Sequence, residues 1–386
     1  MDRGARRSSA ADPQRRLAVK QAGVEYLFLT SAPLYDIGGA ITAYGASARL
    51  GSIAPAGALG RLGYDARAVS VAGDLAPASD ALRTASRVVF GEMFQTRESG
   101  WAGPIETYRR LLRLIEDPHE RAVFSVADDH FANPDFAAFY REALRDCLAV
   151  TTVSPALATT VGALTSRPVV VAPEPTEGSR GAPQAIAARK VAAPLSWLAR
   201  RVGLSMDHWR VRLLWFGYPQ NLPPLLELVP ALEALSRDYP LLLTLITNPV
   251  AELGALMTPA RTREDSRLRV HFVPWSPLVM SAAIASSDLV LIPSEYGNPI
   301  KHAKSPNRLI AGLHGGRFVV AHPLPPYAPY GEFAWLGEDL CHGIDWAIRN
   351  PRAVVERIAR GQAYIDARHS PEAVARFWLD VFHPKN

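Results

Sequence analysis

Cysteine is scarce in this sequence, with only Cys147 and Cys341 among 386 residues. Two cysteines cannot form a disulfide framework, and no Cys and His residues occur at zinc-binding spacing, so a reducing cytoplasm is the expected compartment. The sequence also lacks an apolar run of about 20 residues, the length that a membrane-spanning helix needs. Its first residues, MDRGARRSSAADPQRR, lack the apolar core of a secretory signal.

Net charge is also small outside one short segment. The formal net charge is +5, but residues 1–20 hold six basic and two acidic side chains, which leaves the rest nearly neutral. No basic stripe interleaved with aromatic residues occurs elsewhere, so no nucleic-acid partner is expected. The basic arm, residues 1–20, can contact anionic lipid headgroups at a membrane surface, or it is a disordered arm without a partner.

Short apolar runs alternate with helical patterns along the chain. Strands are predicted over residues 24–29, 66–71, 87–90, 122–126, 150–153 and 169–172, and helices over 106–116 and 135–146. After a Pro-, Gly- and Ala-rich break at 173–193, strands are predicted over 212–216, 241–246, 268–273, 289–292 and 318–321. Helices are predicted there over 223–236, 250–257, 351–368 and 371–381. This alternation predicts two successive parallel α/β sheets, whose ligands bind beyond the carboxyl ends of the strands, in the cleft between the halves.

The most informative segment is residues 293–321, PSEYGNPIKHAKSPNRLIAGLHGGRFVVA. A polar loop follows one predicted strand, and a helix then begins near Lys304, Ser305 and Pro306. A helix start has free N–H groups and a positive dipole end, and Lys304 and Arg308 stand beside it, so the segment predicts a phosphate site. A capped helix with solvated charges is the alternative.

Five motifs together resemble glycosyltransferases of the GT-B fold, closest to the family-4-like group that uses nucleotide-sugar donors. They are FLT with GG at 28–39, LWFG at 214–217, VPWS at 273–276, SDLVLIPS at 287–294 and KSPNRLI at 304–310. The resemblance implies two Rossmann-like parallel-sheet domains facing across a cleft. It assigns residues 21–203 to the acceptor-side domain and 204–368 to the donor-binding domain, and it implies that a final helix, 369–386, crosses back to the first domain.

The resemblance also implies the site residues. Donor contacts are expected from Gly38, Gly39, Gly217, Trp275, Glu295, Lys304, Ser305, Asn307 and Arg308. The glycines allow close approach of backbone to the diphosphate, although turn geometry explains them as well. Trp275 either stacks on the nucleobase or is a packing residue. Asp36 is expected to serve a turn.

Ala127-Asp128-Asp129-His130 follows a predicted strand and is the second chemical cluster. Burying adjacent acids and a histidine at a strand end costs free energy unless water solvates them or they bind a ligand or take part in a reaction. Asp129 is a candidate base if the enzyme inverts, and His130 a candidate for hydrogen bonding to the sugar or diphosphate. The alternative is that Asp128 or Asp129 caps the next helix, with Asn133 and Asp135 as rival caps.

Two departures from the family pattern matter. The two carboxylates of the E-x7-E signature are replaced by Ala303 and Ala311, and the Arg/Lys pair after the first donor-domain strand is replaced by residues 217–221, GYPQN. Donor phosphate charge would then rest on Lys304, Arg308 and helix N–H groups, and Glu295 is a candidate substitute for a missing carboxylate. The alternatives are a changed donor or a chain without catalysis.

The sequence therefore predicts a cytoplasmic, metal-independent glycosyltransferase of the hexosyltransferase kind. It needs no cofactor, since the nucleotide sugar is a co-substrate, and its acceptor is a glycan, a lipid-linked sugar or a small molecule in polysaccharide or glycoconjugate biosynthesis. It can also act as a peripheral protein at the inner membrane face. The alternatives are a non-catalytic GT-B-like glycan- or partner-binding subunit and a nucleotide-sugar epimerase.

Overall fold

The computed structural model of the chain describes residues 25–96, 98–186, 210–249 and 267–384. Three sequence predictions lie outside the described residues: the basic arm 1–20, the helix 250–257 and the domain boundary at residues 203–204. No helix of the described ranges has the length and apolar character needed to cross a membrane.

The N-terminal half is built on a six-stranded, all-parallel sheet. Its strands are β1 (Tyr26–Thr30), β4 (Ala66–Ser70), β5 (Arg87–Phe90), β6 (Ala122–Val126), β7 (Ala149–Thr152) and β8 (Val169–Val171), and a separate antiparallel hairpin comprises β2 (Tyr35–Ile37) and β3 (Ala40–Thr42). The strand order is β4-β1-β5-β6-β7-β8. Helical crossovers cover both faces of a parallel sheet, which explains why β1 and β6 are buried throughout and are mostly apolar.

The C-terminal half repeats this design with a second all-parallel sheet. Its strands are β9 (Val211–Phe216), β10 (Leu241–Thr247), β11 (Leu268–Pro274), β12 (Leu289–Ile292), β13 (Phe318–Ala321) and β14 (Trp335–Leu336). They run in the order β11-β10-β9-β12-β13-β14. A buried ion pair fastens the start of β9 to the turn before β12, because the Arg212 guanidinium donates to Asp288 Oδ1 at 2.8 Å.

Helices flank both sheets. In the N-terminal half they are α1 (Ala46–Ala48), α2 (Ala54–Arg61), α3 (Ala76–Thr84), α4 (Ala102–Leu112), α5 (Pro118–Arg121), α6 (Pro134–Ala143) and α7 (Pro155–Gly162). In the C-terminal half they are α8 (Pro223–Leu235), α9 (Pro277–Ser286), α10 (Pro299–His302), α11 (Asn307–His314), α12 (Leu340–Arg349) and α13 (Pro351–His369), and the final helix is α14 (Pro371–Phe382). A π-helical segment, Arg49–Ile53, and 3-10 turns at Pro219–Asn221 and Pro325–Tyr330 complete the described elements.

The last two helices belong to different halves. α13 packs in the C-terminal core through Val354, Ile358 and Ile365. α14 instead packs on the N-terminal sheet, where the Trp378 ring meets Phe28 at a centroid distance of 5.0 Å. The chain therefore crosses between the halves a second time at Ser370.

The two crossings are hydrogen-bonded to each other. His369 Nδ1 lies 2.8 Å from the carbonyl oxygen of Glu174, and the Thr176 backbone N–H donates to the carbonyl oxygen of His369 at 3.2 Å. Because a carbonyl oxygen only accepts, Nδ1 carries the proton, and Nε2 accepts from the Tyr330 hydroxyl at 3.0 Å. One buried histidine thus joins both connections between the halves.

Candidate functional site

The carboxyl ends of both sheets face one cleft. Glu92 follows β5 and the loop 127–130 follows β6, while Gly217 follows β9 and the loop 293–306 follows β12. The two sides touch directly, because Lys304 Nζ forms an ion pair with Asp128 Oδ1 and the Ser154 hydroxyl donates to the carbonyl oxygen of Ala303 at 2.8 Å. The loops of the two halves therefore form one site.

The C-terminal side of the cleft is cationic. Lys301 Nζ donates to Asn221 Oδ1 at 3.0 Å, and an Arg308 guanidinium nitrogen lies 3.5 Å from the carbonyl oxygen of Phe216. Burial lowers the pKa of Lys301, and the charges of Lys304 and Arg308 lower it further, against an opposing effect of Glu295. We call Lys301, Lys304 and Arg308 the cation cluster. Three mutually repelling cations held together are suited to an anion that carries more than one charge.

The cation cluster stands at the start of α11. The Ser305 hydroxyl accepts the backbone N–H of Asn307 at 3.0 Å, and the helix begins at Asn307, directly after Pro306. Ser305 does not cap the helix as the sequence suggested, because the N-cap position is Pro306 and no side chain caps the first turn there. The Ser305 contact is a local turn contact beside the cations.

Gly217 places backbone next to the cation cluster. A Cβ atom at this position would lie 3.5 Å from a guanidinium nitrogen of Arg308. Glycine has no side chain, so no Cβ stands between the Gly217 backbone and Arg308. A phosphate that approaches both groups closely needs this free space.

The N-terminal side of the cleft is acidic. His130 Nε2 lies 3.9 Å from both Glu92 Oε1 and Asp128 Oδ2, and the imidazole is flanked by the rings of Trp101 and Phe136 at centroid distances of 4.9 and 5.5 Å. Burial lowers the pKa of His130, Asp128 and Asp129 oppose that effect, and Lys304 reinforces it. We call Glu92, Asp128 and His130 the acid–histidine cluster.

The capping alternative for this loop is resolved by Asn133. Its side chain accepts the N–H of Phe136 at 3.0 Å and caps α6, so neither Asp128 nor Asp129 caps that helix. Asp129 Oδ1 accepts the N–H of Phe131 at 3.2 Å, which is a local turn contact. Asp128 points its carboxylate at Lys304 and His130 instead.

Glu92 is a site residue that the sequence did not reveal. Its side chain is 4% exposed, and Oε2 accepts the Ala127 N–H at 2.6 Å, which fastens the acid-bearing loop. Burial, reinforced by Asp128, raises the pKa of Glu92 to about 8. Gly91 makes this position possible, since a Cβ there would lie 2.5 Å from the carbonyl oxygen of Leu29.

Glu174 is a second hidden carboxylate, at the first crossing between the halves. It is 6% exposed, and burial raises its pKa to about 7, against a hydrogen bond with Ser305 that lowers it. Both Glu92 and Glu174 are single acids distant in sequence from every motif, so no spacing pattern marks them. Lys301 was also missed, although it lies three residues before Lys304 in the same loop.

The remaining predicted donor residues make other contacts. Gly38 and Gly39 have φ values of +64° and +86° and form the turn of the β2–β3 hairpin, where Asp36 accepts the N–H of Gly39 at 2.7 Å. Trp275 packs under the Arg49 guanidinium at 4.7 Å and beside the Tyr44 ring. Glu295 is exposed and accepts from the Asn298 amide at 2.9 Å, within electrostatic range of Lys301.

The substituted signature positions are Ala303 and Ala311. Ala303 is buried and packs into the core of the N-terminal half, in addition to accepting the Ser154 hydrogen bond. A longer acidic side chain at this position would have to displace that packing. Ala311 lies inside α11, one turn beyond Asn307.

No model of a known protein family matches this chain, and no curated protein sequence matches it. Solved structures do match it in fold. Anabaena HepE in complex with UDP and glucose is 13% identical, with a TM-score of 0.62 over 94% of this chain and 100% of that chain. Sucrose-phosphate synthase from Thermosynechococcus elongatus is 12% identical, with a TM-score of 0.61 over 93% of this chain and 98% of that chain. A glycosyltransferase from Rickettsia africae is 13% identical, with a TM-score of 0.58 over 93% of this chain and 98% of that chain.

These similarities extend over nearly the whole chain and therefore concern both sheets and the cleft between them. Together with the two six-stranded parallel sheets, they confirm the fold that the sequence predicts. The chain has the GT-B fold, with two Rossmann-like halves facing across a cleft.

Proposed function

We propose that this protein is a glycosyltransferase that takes its sugar from a nucleotide-sugar donor. The observation that carries the proposal is the convergence of Lys301, Lys304 and Arg308 beside Gly217, opposite a loop that holds acids and a histidine. HepE, a protein of similar fold, has been solved with UDP and glucose, which supports a uridine-diphosphate sugar as the donor class.

In the proposed reaction the cation cluster receives the diphosphate. As the bond between the anomeric carbon and the phosphate oxygen breaks, its electron pair leaves with the diphosphate, and Lys304 and Arg308 neutralise the developing charge. Lys supplies a point charge and Arg a planar fork that binds phosphate with two hydrogen bonds. The N–H groups of the first turn of α11, near Ser305 and Asn307, add their partial charge. This charge supply needs no metal ion.

The acid–histidine cluster serves the acceptor in this proposal. The acceptor oxygen forms the new bond to the anomeric carbon, and its proton passes to a base on the N-terminal side. If the configuration at the anomeric carbon is inverted, His130 or Asp129 takes this role. If the configuration is retained, His130 hydrogen-bonds the sugar or diphosphate. Glu92 holds the loop through the Ala127 N–H.

The other donor contacts remain proposals of the same kind. Trp275 and its neighbour Tyr44 offer aromatic surface for a nucleobase, Gly38 and Gly39 offer backbone, and Glu295 offers a carboxylate for the donor. The proposed acceptor is a glycan, a lipid-linked sugar or a small molecule, in polysaccharide or glycoconjugate synthesis. We propose a cytoplasmic enzyme, with contact to the inner membrane face through residues 1–20.

A second candidate is a GT-B-like subunit that binds a nucleotide or glycan without catalysis. Ala303 and Ala311 favour it, because both carboxylates of the family signature are replaced and Ala303 is packed against the other half. The cation cluster is compatible with either function, so activity has to be measured rather than inferred from binding.

Two measurements test the proposal in sequence. A thermal-shift screen against UDP, ADP and GDP should give one stabilising ligand, since a ligand at about 100-fold over its dissociation constant stabilises by about 2.7 kcal/mol. The matching nucleotide sugars, incubated with a panel of acceptors, should then release the nucleoside diphosphate and form a glycosylated product. Stabilisation without any release favours the binding subunit. No stabilisation by any diphosphate contradicts the glycosyltransferase and a nucleotide-binding subunit, and it leaves only a glycan-binding subunit.

A further inference from the structure

One ion pair joins the two clusters across the cleft. Lys304 Nζ donates to Asp128 Oδ1, and the two side chains are 39% and 31% exposed. Lys304 is the cation that the proposed function assigns to the donor diphosphate. A carboxylate of the N-terminal half therefore occupies, in this structure, the partner position that a phosphate oxygen would take.

The second oxygen of Asp128 faces the other direction. Asp128 Oδ2 lies 3.9 Å from His130 Nε2, while Oδ1 contacts Lys304. The charged and titratable groups facing His130 are Asp128, Asp129, Glu92 and Lys304. Asp128 is thus the one group of this set that contacts Lys304 and also stands next to the imidazole.

Like charges repel strongly at short range, so a diphosphate on Lys304 would destabilise the adjacent Asp128 carboxylate. The Asp128 carboxylate lies 3.9 Å from His130 Nε2, about 1 Å beyond hydrogen-bond distance, so a rotation of the Asp128 side chain that closes this gap would form that bond. Because Trp101 and Phe136 flank the ring, the imidazole itself is held in place while the carboxylate moves.

We propose that Asp128 is a positioning residue that exchanges Lys304 for His130 when a donor diphosphate binds. This inference rests on the proposed function, because it takes Lys304 as a diphosphate ligand. When Asp128 accepts the hydrogen on Nε2, the free lone pair of the neutral imidazole is on Nδ1, and Nδ1 takes the proton of the acceptor hydroxyl. The exchange makes His130 a stronger proton acceptor only once the donor is in place, so that the acceptor hydroxyl is activated next to a loaded donor.

The first test is donor affinity. UDP titrated calorimetrically into Asp128→Asn should bind about two- to five-fold more tightly than into the wild type, the range expected when a partly exposed competing ion pair is removed. Asp135→Asn, an exposed acid in the first turn of α6, is the matched control and should leave UDP affinity unchanged. Unchanged or weaker UDP binding by Asp128→Asn would overturn the exchange.

The second test follows the imidazole. The pKa of His130, measured by NMR titration, should rise by about one pH unit when UDP is added to the wild type, because the Asp128 carboxylate closes from 3.9 Å to hydrogen-bond contact with Nε2. In Asp128→Asn most of that rise should be lost. The proposal would be contradicted if UDP leaves the pKa of His130 unchanged in the wild type, or if UDP raises it by the full amount in Asp128→Asn.

Lys304→Ala separates the two levels of inference. If this variant binds UDP as tightly as the wild type, Lys304 does not bind the diphosphate. Both the donor site of the proposed function and the proposed exchange are then wrong. If Lys304→Ala weakens UDP binding but Asp128→Asn changes neither UDP affinity nor the His130 response, only the exchange is wrong.

Discussion

The two sides of the cleft are built on opposite principles. The cation cluster comes from one contiguous segment, residues 301–308, and its side chains reach partly into solvent. The acid–histidine cluster is assembled from two separate strand ends, and its deepest member, Glu92, is buried. A partly exposed cationic segment can bind a charged ligand with a small desolvation cost. A buried carboxyl, in contrast, has already lost its hydration, which disfavours its charged form. The difference suggests a binding side and a chemistry side.

The strongest test of that division is the histidine. His130→Ala and Asp129→Asn should each lower turnover by about 10²–10⁴-fold if the residue is the base, because general-base removal has that cost. UDP affinity should change little, since neither side chain belongs to the cation cluster. Initial rates and calorimetric UDP titrations on the same preparations check this, with Tyr140→Phe, a buried hydroxyl in the core of the same half, as control. Wild-type turnover in both variants would assign the loop a structural role.

Burial of Glu92 predicts a pH dependence of stability. A carboxyl whose pKa is raised from 4.5 to about 8 binds its proton more tightly in the folded state. Its contribution is therefore fully present below pH 4.5 and is lost as the pH rises through the folded pKa. Glu92→Gln keeps a neutral side chain of the same shape, so it should be more stable relative to wild type at pH 8.5 than at pH 5, by up to about 4 kcal/mol.

Urea unfolding at the two pH values measures this difference directly. Glu142→Gln, an exposed acid on α6, is the control and should show no comparable gain. A constant difference between Glu92→Gln and wild type across the range would show that Glu92 is ionised in the fold.

The smallest effect is expected from a change of cation shape. Arg308→Lys keeps the charge but loses the planar fork, so it should recover only part of the UDP affinity that Arg308→Ala loses, leaving it about three- to tenfold below wild type. Calorimetric titration of wild type, Arg308→Lys and Arg308→Ala with UDP gives the order of their UDP affinities. Equal affinity of Arg308→Lys and wild type would show that charge alone matters at this position.

The fold was well predicted by the sequence because its signals are local. Each predicted strand in the described residues occurs within two residues of its expected bounds. Most central strands are short, buried apolar runs, which the sequence shows directly. The β2–β3 hairpin was not predicted, because its exposed Tyr35, Ile37 and Ile41 form no regular burial pattern. The start of α11 was placed near Ser305 and begins at Asn307.

The site was predictable only where its residues are contiguous. Lys304 and Arg308 stand in one motif, but Glu92 and Glu174 gain their meaning from burial and from neighbours 35 and more residues away. Ala303 and Ala311 stand where the sequence resemblance expects carboxylates, yet only the structure shows that Ala303 packs into the opposite half. Single acids that come together only in the folded chain form no regular spacing in the sequence, so a motif search does not find them.

The central claim is that the cation cluster binds the diphosphate of the donor. Calorimetric titration of UDP and uridine, side by side, into wild type, Lys304→Ala and Arg308→Ala tests it most directly, with Arg376→Ala, an exposed cation on α14, as control. Each cluster variant should lose about ten- to a hundredfold in UDP affinity, because a charge-assisted hydrogen bond contributes roughly 1.5–3 kcal/mol, while uridine affinity stays the same. Full UDP affinity in both variants would contradict the account and move the donor site elsewhere.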